Sequence, residues 1–208
     1  MKLAKSLDRL GTETAFSVLA EAKKLEATGK PMIHLGLGQP DFKTPKHVVD
    51  AAKKALDDGH HGYVLSNGIL ECRQAVTRKI KKLYSQDIDP ERIIIMPGGK
   101  PTMHYAIQCF GEPGVEIIHP TPAFPIYESM INFTGSTPVP YDLTKDKDLK
   151  FNAEEILSLI SEKTRLLILI NPNNPTGSFV EKSEIDKLAK GLESHPHVTI
   201  LSDEIYSR

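Results

Sequence analysis

The sequence predicts an α/β fold in which helices cover both faces of a mostly parallel sheet. Two observations support this fold. From residue 93 onward, short apolar runs alternate with segments whose apolar residues recur at helical spacing, as in strand–helix–strand units. The first of these runs, Ile93–Met96, is continuous rather than alternating, which indicates a strand buried on both faces. Ligands of such sheets bind beyond the carboxyl ends of the strands, so the loops after each run are the candidate functional segments.

The chain before residue 90 predicts helices. Apolar residues at helical spacing predict a first helix that ends near Gly29, followed by a turn-rich loop over residues 36–42. Thr44 is the predicted N-cap of a second helix that begins at Pro45. A third helix is predicted over residues 69–84.

Strands and helices alternate in the remainder of the sequence. The predicted strands are Ile93–Met96, Val115–Ile118, Thr137–Tyr141, Leu166–Ile170 and Val198–Leu201. The helices between them are predicted near residues 101–110, 122–133, 153–161 and 182–192. Asn152, followed three residues later by Glu155, resembles a capping box at the start of the third of these helices.

Composition argues against several classes of protein. The formal net charge of −1 argues against a nucleic-acid partner. Cys72 and Cys109 are far apart and lack metal-site spacing, so we expect no metal. We expect these cysteines to be free thiols in a reducing compartment, with a single disulfide as the alternative. No apolar stretch approaches the length of a membrane span. The sequence therefore predicts a soluble cytoplasmic protein.

Two loops carry groups suited to an anionic or aromatic ligand. Gly98 and Gly99 precede Lys100 and Pro101 at a strand-to-helix turn, where backbone N–H groups at a helix start favour an anion. An ordinary tight turn explains the same glycines. Phe124, which follows another strand, suits either stacking on a planar ring or packing in the core.

Two further segments follow predicted strands. Asp203 is suited to hold a pyridinium nitrogen protonated, or to serve as a structural hydrogen-bond acceptor. Residues 171–177 contain two Asn-Pro steps, which force an extended loop. This loop is either a binding loop or a plain surface turn, and its polarity after a core strand favours binding.

Taken together, these segments resemble the class I and II aminotransferases, the pyridoxal-phosphate (PLP) enzymes of the aspartate-aminotransferase fold. The resemblance covers essentially the whole chain, in order. It is carried by Gly38–Phe42, Tyr63 with Gly68 and Arg73, Gly98–Lys100, Pro122–Tyr127, Asn173–Gly177 and Ser202–Tyr206. The NNPTG and DEIY segments, each after an apolar strand, are the most specific of these motifs.

The resemblance implies that five residues surround the cofactor ring and the substrate. Phe124 would stack on the ring, and Asp203 would pair with its pyridinium nitrogen. Asn174 and Tyr206 would hydrogen-bond its phenolic oxygen. Together with Asp203 they are the candidate catalytic residues. Gly38 would offer its amide to the substrate α-carboxylate.

The resemblance also implies a phosphate site and a homodimer. Gly99 and Lys100 would donate backbone N–H groups to the PLP phosphate. Tyr63 would reach the phosphate of the neighbouring subunit. Pro101 and Thr102 depart from the family pattern, and Pro101 removes one potential N–H donor, so weaker cofactor binding is expected.

The function implied is transfer of an amino group between an α-amino acid and a 2-oxo acid. Residues 1–45 would belong to the small domain of the family fold, and residues 46–208 to an incomplete large, PLP-binding domain. No lysine in this sequence matches the family's Schiff-base lysine, so the 208-residue chain alone is expected to be inactive. The alternatives are a PLP-dependent C–S or β-lyase of the same fold, and a non-catalytic remnant that acts as a binding protein.

Overall fold

A computed structural model describes residues 2–11, 14–36 and 38–207. Leu37, in the predicted loop over residues 36–42, lies outside the described residues. The chain forms two compact units. The helical unit comprises residues 14–99, and the sheet unit comprises residues 100–207 together with residues 2–11.

The helical unit contains the three predicted helices. They are α1 (Thr14–Glu26), α2 (Lys46–Asp57) and α3 (Leu70–Tyr84), followed by a short 3-10 helix at Pro90–Arg92. The N-cap prediction for α2 was wrong. Pro45, not Thr44, occupies that position, and no side chain caps the helix there. Backbone N–H groups at a helix start have no acceptor within the helix. Proline has no N–H, so it leaves no unpaired donor at this position.

The predicted strand Ile93–Met96 was also wrong. This segment has no regular secondary structure, and Ile94 is 64% exposed. A strand needs a neighbour with which to exchange a ladder of hydrogen bonds. In the described parts of the chain, the backbone bonds of this segment with residues outside it run from Ile95 N to Asn67 O, from Ile93 N to Pro90 O and from Gly98 N to Met96 O, and none of these partners belongs to a strand.

The sheet unit confirms the predicted α/β fold. Its strands are β1 (Glu116–Thr121), β2 (Thr137–Asp142), β3 (Thr164–Ile170) and β4 (Thr199–Asp203). They form one parallel sheet in the order β2-β1-β3-β4. The helices are α4 (Gly99–Phe110), α5 (Ile126–Thr134), α6 (Ala153–Ser158) and α7 (Lys182–Leu192).

Helices pack on both faces of this sheet, as predicted. Side chains of successive strand residues point to opposite faces. On one face, α4 and α5 join a buried cluster that includes Ile107, Tyr127, Ile131, Ile117, Leu166 and Ile168. On the other face, α6 and α7 join a cluster that includes Ala153, Ile156, Leu188, Ile118, Leu167 and Leu169. Burial on both faces explains why consecutive residues of these strands are apolar, Ile117 and Ile118 in β1 and Leu166–Ile170 in β3.

The first residues of the chain pack against the sheet unit. Lys5–Arg9 form a 3-10 helix. The Arg9 guanidinium donates to the backbone oxygens of Asn132 and Phe133, at 2.7 and 2.8 Å, near the end of α5. A cation is favourable at this negative helix end. The predicted domain boundary after residue 45 differs from the division into these two units and stays a prediction.

No helix in the described ranges is both long and apolar enough to cross a membrane.

Candidate functional site

The carboxyl ends of β3 and β4 lie side by side in register. Ile170 pairs with Asp203, and the backbone N–H of Asn171 donates to the carbonyl oxygen of Asp203 at 3.0 Å. The segments that follow the two strands therefore leave the sheet together. This is the edge at which parallel α/β sheets bind ligands.

Two predicted ring-binding residues meet at this edge. The Asn174 side-chain amide donates to the Tyr206 hydroxyl at 3.0 Å, although the residues are 32 positions apart in sequence. Both border a cavity of about 330 Å³, which is lined by Pro172, Asn173, Asn174, Pro175, Gly177 and Tyr206. An amide and a hydroxyl held together in this way can share one ligand oxygen.

Asn173 holds the loop after β3 in place. Only 5% of its surface is exposed. Its side-chain amide donates to Pro122 O at 3.1 Å and to Thr176 Oγ1 at 2.8 Å. Pro122 directly follows β1, so one amide ties two of the candidate loops together. Buried polar groups that are bonded in this way order the backbone around them. The sequence motif contains Asn173, but spacing alone assigns it no role.

The Asp203 carboxylate is held by two donors. Its Oδ1 accepts the backbone N–H of Ile205 at 3.1 Å, and its Oδ2 accepts the hydroxyl of Tyr127 at 2.5 Å. Burial, with the hydrogen bond to Asp203 adding to it, raises the pKa of the Tyr127 phenol. Tyr127 therefore stays protonated at neutral pH and donates to the carboxylate. The motif names Tyr127, but its bond to Asp203 spans 76 positions, so no sequence pattern reveals it.

Phe124 and Lys100 also meet in the sheet unit. The Lys100 ammonium nitrogen lies 5.7 Å from the centroid of the Phe124 ring, within the range of a cation–π contact. Phe124 is half-buried and packs against the core cluster beneath α5. Lys100 is the second residue of α4, so the predicted glycine turn does lead into a helix start.

The other predicted site residues, Gly38, Tyr63 and Gly99, belong to the helical unit. Tyr63 is fully exposed. The turn that follows it is anchored by Arg73, whose buried guanidinium donates to Gly68 O at 3.1 Å and to a Glu91 carboxylate oxygen at 2.7 Å. Charge-assisted bonds of this kind fix the geometry of a turn. The cofactor and substrate contacts of these residues stay predictions.

Comparison with known proteins identifies the family. The family model described as aminotransferase class I and II matches residues 30–208. The chain belongs to this aminotransferase family. The aspartate aminotransferase of Bacillus subtilis (strain 168) is 33% identical over 208 residues, which are 100% of this chain and 53% of that protein.

Other aminotransferases give the same result. A (5-formylfuran-3-yl)methyl phosphate transaminase from Methanocaldococcus jannaschii is 37% identical over 205 residues, covering 99% of this chain and 52% of that protein. The crystal structure of an aspartate aminotransferase from Rhizobium meliloti matches with a TM-score of 0.93 and 29% identity, covering 100% of this chain and 52% of that one. The chain thus spans about half the length of the aminotransferases it matches.

The sheet-unit residues fit PLP, the cofactor that this aminotransferase family implies. The carboxylate of Asp203 suits a protonated ring nitrogen. The bonded pair Asn174 and Tyr206 offers donors for a phenolic oxygen, and Phe124 offers an aromatic face. A larger cavity of about 570 Å³, lined by charged residues such as Lys145 and Glu184, contains none of the predicted site residues.

Proposed function

We propose that this chain carries the ring-binding part of a PLP-dependent aminotransferase that moves an amino group between an α-amino acid and a 2-oxo acid. One observation carries the proposal: the adjacent ends of β3 and β4 present Asn174, Tyr206 and Asp203 along one sheet edge. Their chemistry matches two parts of one pyridine ring, since Asn174 and Tyr206 suit its phenolic oxygen and Asp203 suits its nitrogen.

Each residue has a distinct task in this proposal. Asp203 would hold the ring nitrogen protonated, since an adjacent carboxylate favours the positive charge. When bound, PLP supplies an electron sink for charge that develops on the substrate Cα. Asn174 and Tyr206 would donate to the phenolic oxygen, and Phe124 would pack against the ring. Ordered loops keep these groups in place before the cofactor arrives.

The phosphate and the second subunit extend the proposal. Gly99 and Lys100 stand at the start of α4, where backbone N–H groups and the helix dipole favour a phosphate. Tyr63 would reach the phosphate of a neighbouring subunit in a homodimer. Its full exposure leaves it accessible for such a contact.

Similarity to proteins that are named for transamination favours this reaction over carbon–sulfur or β-bond cleavage. The relatives at 33% and 37% identity are described as an aspartate aminotransferase and a transaminase. A non-catalytic binding role is compatible with the same proposed ring-binding residues, because it needs the same contacts with the ring. That the 208-residue chain alone lacks turnover stays a prediction.

Calorimetric titration with pyridoxine 5′-phosphate tests the proposal. This compound has the ring and phosphate of PLP but no aldehyde, so it does not react with lysine amines. We expect the chain to bind one equivalent. Asp203→Ala should weaken binding about tenfold or more, because a hydrogen bond to a charged group contributes about 2 kcal/mol.

Asp186→Ala is the matched control. This variant also removes one carboxylate from the sheet unit, but Asp186 is exposed on α7 and pairs with Lys182. It should bind like the unmodified chain. Absence of binding by the unmodified chain, or equal affinity in all three proteins, would contradict the proposal.

A further inference from the structure

Tyr127 is a buried residue to which the sequence motif gives no task. Only 1% of its surface is exposed, yet its hydroxyl donates to Asp203 Oδ2 at 2.5 Å. The bond connects the first turn of α5 to the end of β4. It therefore joins the helix that follows Phe124 to the carboxylate expected to face the cofactor nitrogen.

Packing fixes the ring of Tyr127. The ring lies in the buried cluster with Ile117, Ile168 and Ile170, which belong to β1 and β3. Side chains in close-packed interiors occupy one rotamer, so the hydroxyl has little freedom to move away from its acceptor. The bond to Asp203 is thus imposed by the core of the sheet unit.

The two oxygens of Asp203 then have fixed partners. The backbone N–H of Ile205 donates to Oδ1, and Tyr127 donates to Oδ2. Burial, followed by the bond to Asp203, raises the pKa of the Tyr127 phenol. The phenol therefore remains a donor across the pH range in which proteins are folded. An acceptor-only carboxylate between two fixed donors has one preferred orientation.

We infer that Tyr127 is a positioning residue, which orients the Asp203 carboxylate toward the ring nitrogen of the cofactor without contacting the cofactor itself. The part of this inference that concerns the cofactor rests on the proposed function. The part that concerns Asp203 is a property of the chain alone. Removing the phenol hydroxyl should leave the carboxylate present but free to rotate, so it would bind the ring less well.

Tyr127→Phe tests the inference, with Tyr141→Phe as the matched control. Tyr141 is also buried in the sheet unit, but its hydroxyl donates to a backbone oxygen, that of Ile168, at 3.2 Å. Each variant removes one buried hydroxyl, so a general loss of packing or stability would affect both.

The first readout is the carbon-13 chemical shift of the Asp203 carboxyl group in the ligand-free chain, assigned with Asp203→Asn. Tyr127→Phe should move this signal, and Tyr141→Phe should leave it in place. The second readout is affinity for pyridoxine 5′-phosphate, which Tyr127→Phe should weaken by a smaller factor than Asp203→Ala does, because the carboxylate remains but is no longer held in one orientation.

The two readouts separate the inference from the proposed function. An unchanged Asp203 signal in Tyr127→Phe would overturn the inference, whatever the affinity. A moved signal with unchanged affinity would overturn the cofactor part of it. If the unmodified chain does not bind pyridoxine 5′-phosphate, the proposed function fails, and the carboxyl signal still decides whether Tyr127 orients Asp203.

Discussion

At the scale of single residues, His119 is a buried titratable group, and its charge state makes the stability of the chain depend on pH. It lies in β1 with 3% of its surface exposed. Its Nδ1 bonds to Pro120 O at 3.0 Å, and its Nε2 has no hydrogen-bond partner in the described parts of the chain. Burial lowers the pKa of His119, although the bond to Pro120 and the charge of Glu128 oppose this shift. The imidazole is therefore neutral in the folded chain.

This neutral state predicts a loss of stability in mild acid. The unfolded chain binds a proton at His119 below pH about 6.5, whereas the folded chain resists it. Stability should thus be unaffected by this group above about pH 6.5 and should fall as the pH drops below it. Between pH 7.5 and 5.5, the unmodified chain should lose more unfolding free energy than His119→Asn.

Urea denaturation at the two pH values measures this difference. His60→Asn, at an exposed position, is the control and should follow the unmodified chain. Parallel pH dependence in the unmodified chain and His119→Asn would show that His119 is not the linked group.

Residue identity predicted part of the candidate site. Asn174, Asp203 and Tyr206 stand in recognisable motifs, and the parallel sheet brings the ends of β3 and β4 together. The roles of Asn173 and Tyr127 were not predictable. Their partners lie 51 and 76 positions away, and hydrogen bonds of that span depend on how the loops pack rather than on spacing.

At the element scale, Gly68 permits the turn that follows Tyr63 in the helical unit. Its φ is +95°, a backbone conformation that favours glycine, and a Cβ there would lie 2.8 Å from the Cβ of Ile95. The Ile95 Cβ is attached to the backbone and cannot rotate away. Close approach and backbone conformation therefore both require glycine.

Gly68→Ala should accordingly destabilise the helical unit more than Gly59→Ala. Gly59 has a similar φ of +86°, but a Cβ there meets nothing within 4 Å. We expect Gly59→Ala to cost about 1 kcal/mol from backbone strain, and Gly68→Ala about 1–3 kcal/mol more from overpacking. Denaturant unfolding measures both, and equal losses would show that the contact with Ile95 relaxes freely.

Local sequence patterns predicted most helices and strands, but they did not predict which apolar runs would pair with a neighbouring strand. The runs of β1 and β3 became buried strands because neighbouring strands and helices cover them. Ile93–Met96 has the same apolar character, yet in the described residues no neighbouring strand pairs with it. Pairing is a property of the sheet, so β propensity alone did not distinguish these runs.

At the scale of the whole molecule, the candidate site lies at one edge of a parallel sheet. The helices bury both faces, and polar side chains gather where the strands end. The chain spans about half the length of the aminotransferases it matches. The proposed ring-binding residues Asn174, Asp203 and Tyr206 all lie within the sheet unit and are open to direct test.

The most direct test is the nitrogen-15 chemical shift of the ring nitrogen in labelled pyridoxine 5′-phosphate bound to the chain. We expect this nitrogen to stay protonated at a pH at which the free compound has lost the proton, because the proposal places the Asp203 carboxylate beside it. In Asp203→Ala, at saturating ligand, the nitrogen should titrate like that of the free compound. A nitrogen that titrates identically when free and when bound to the unmodified chain would contradict the central claim.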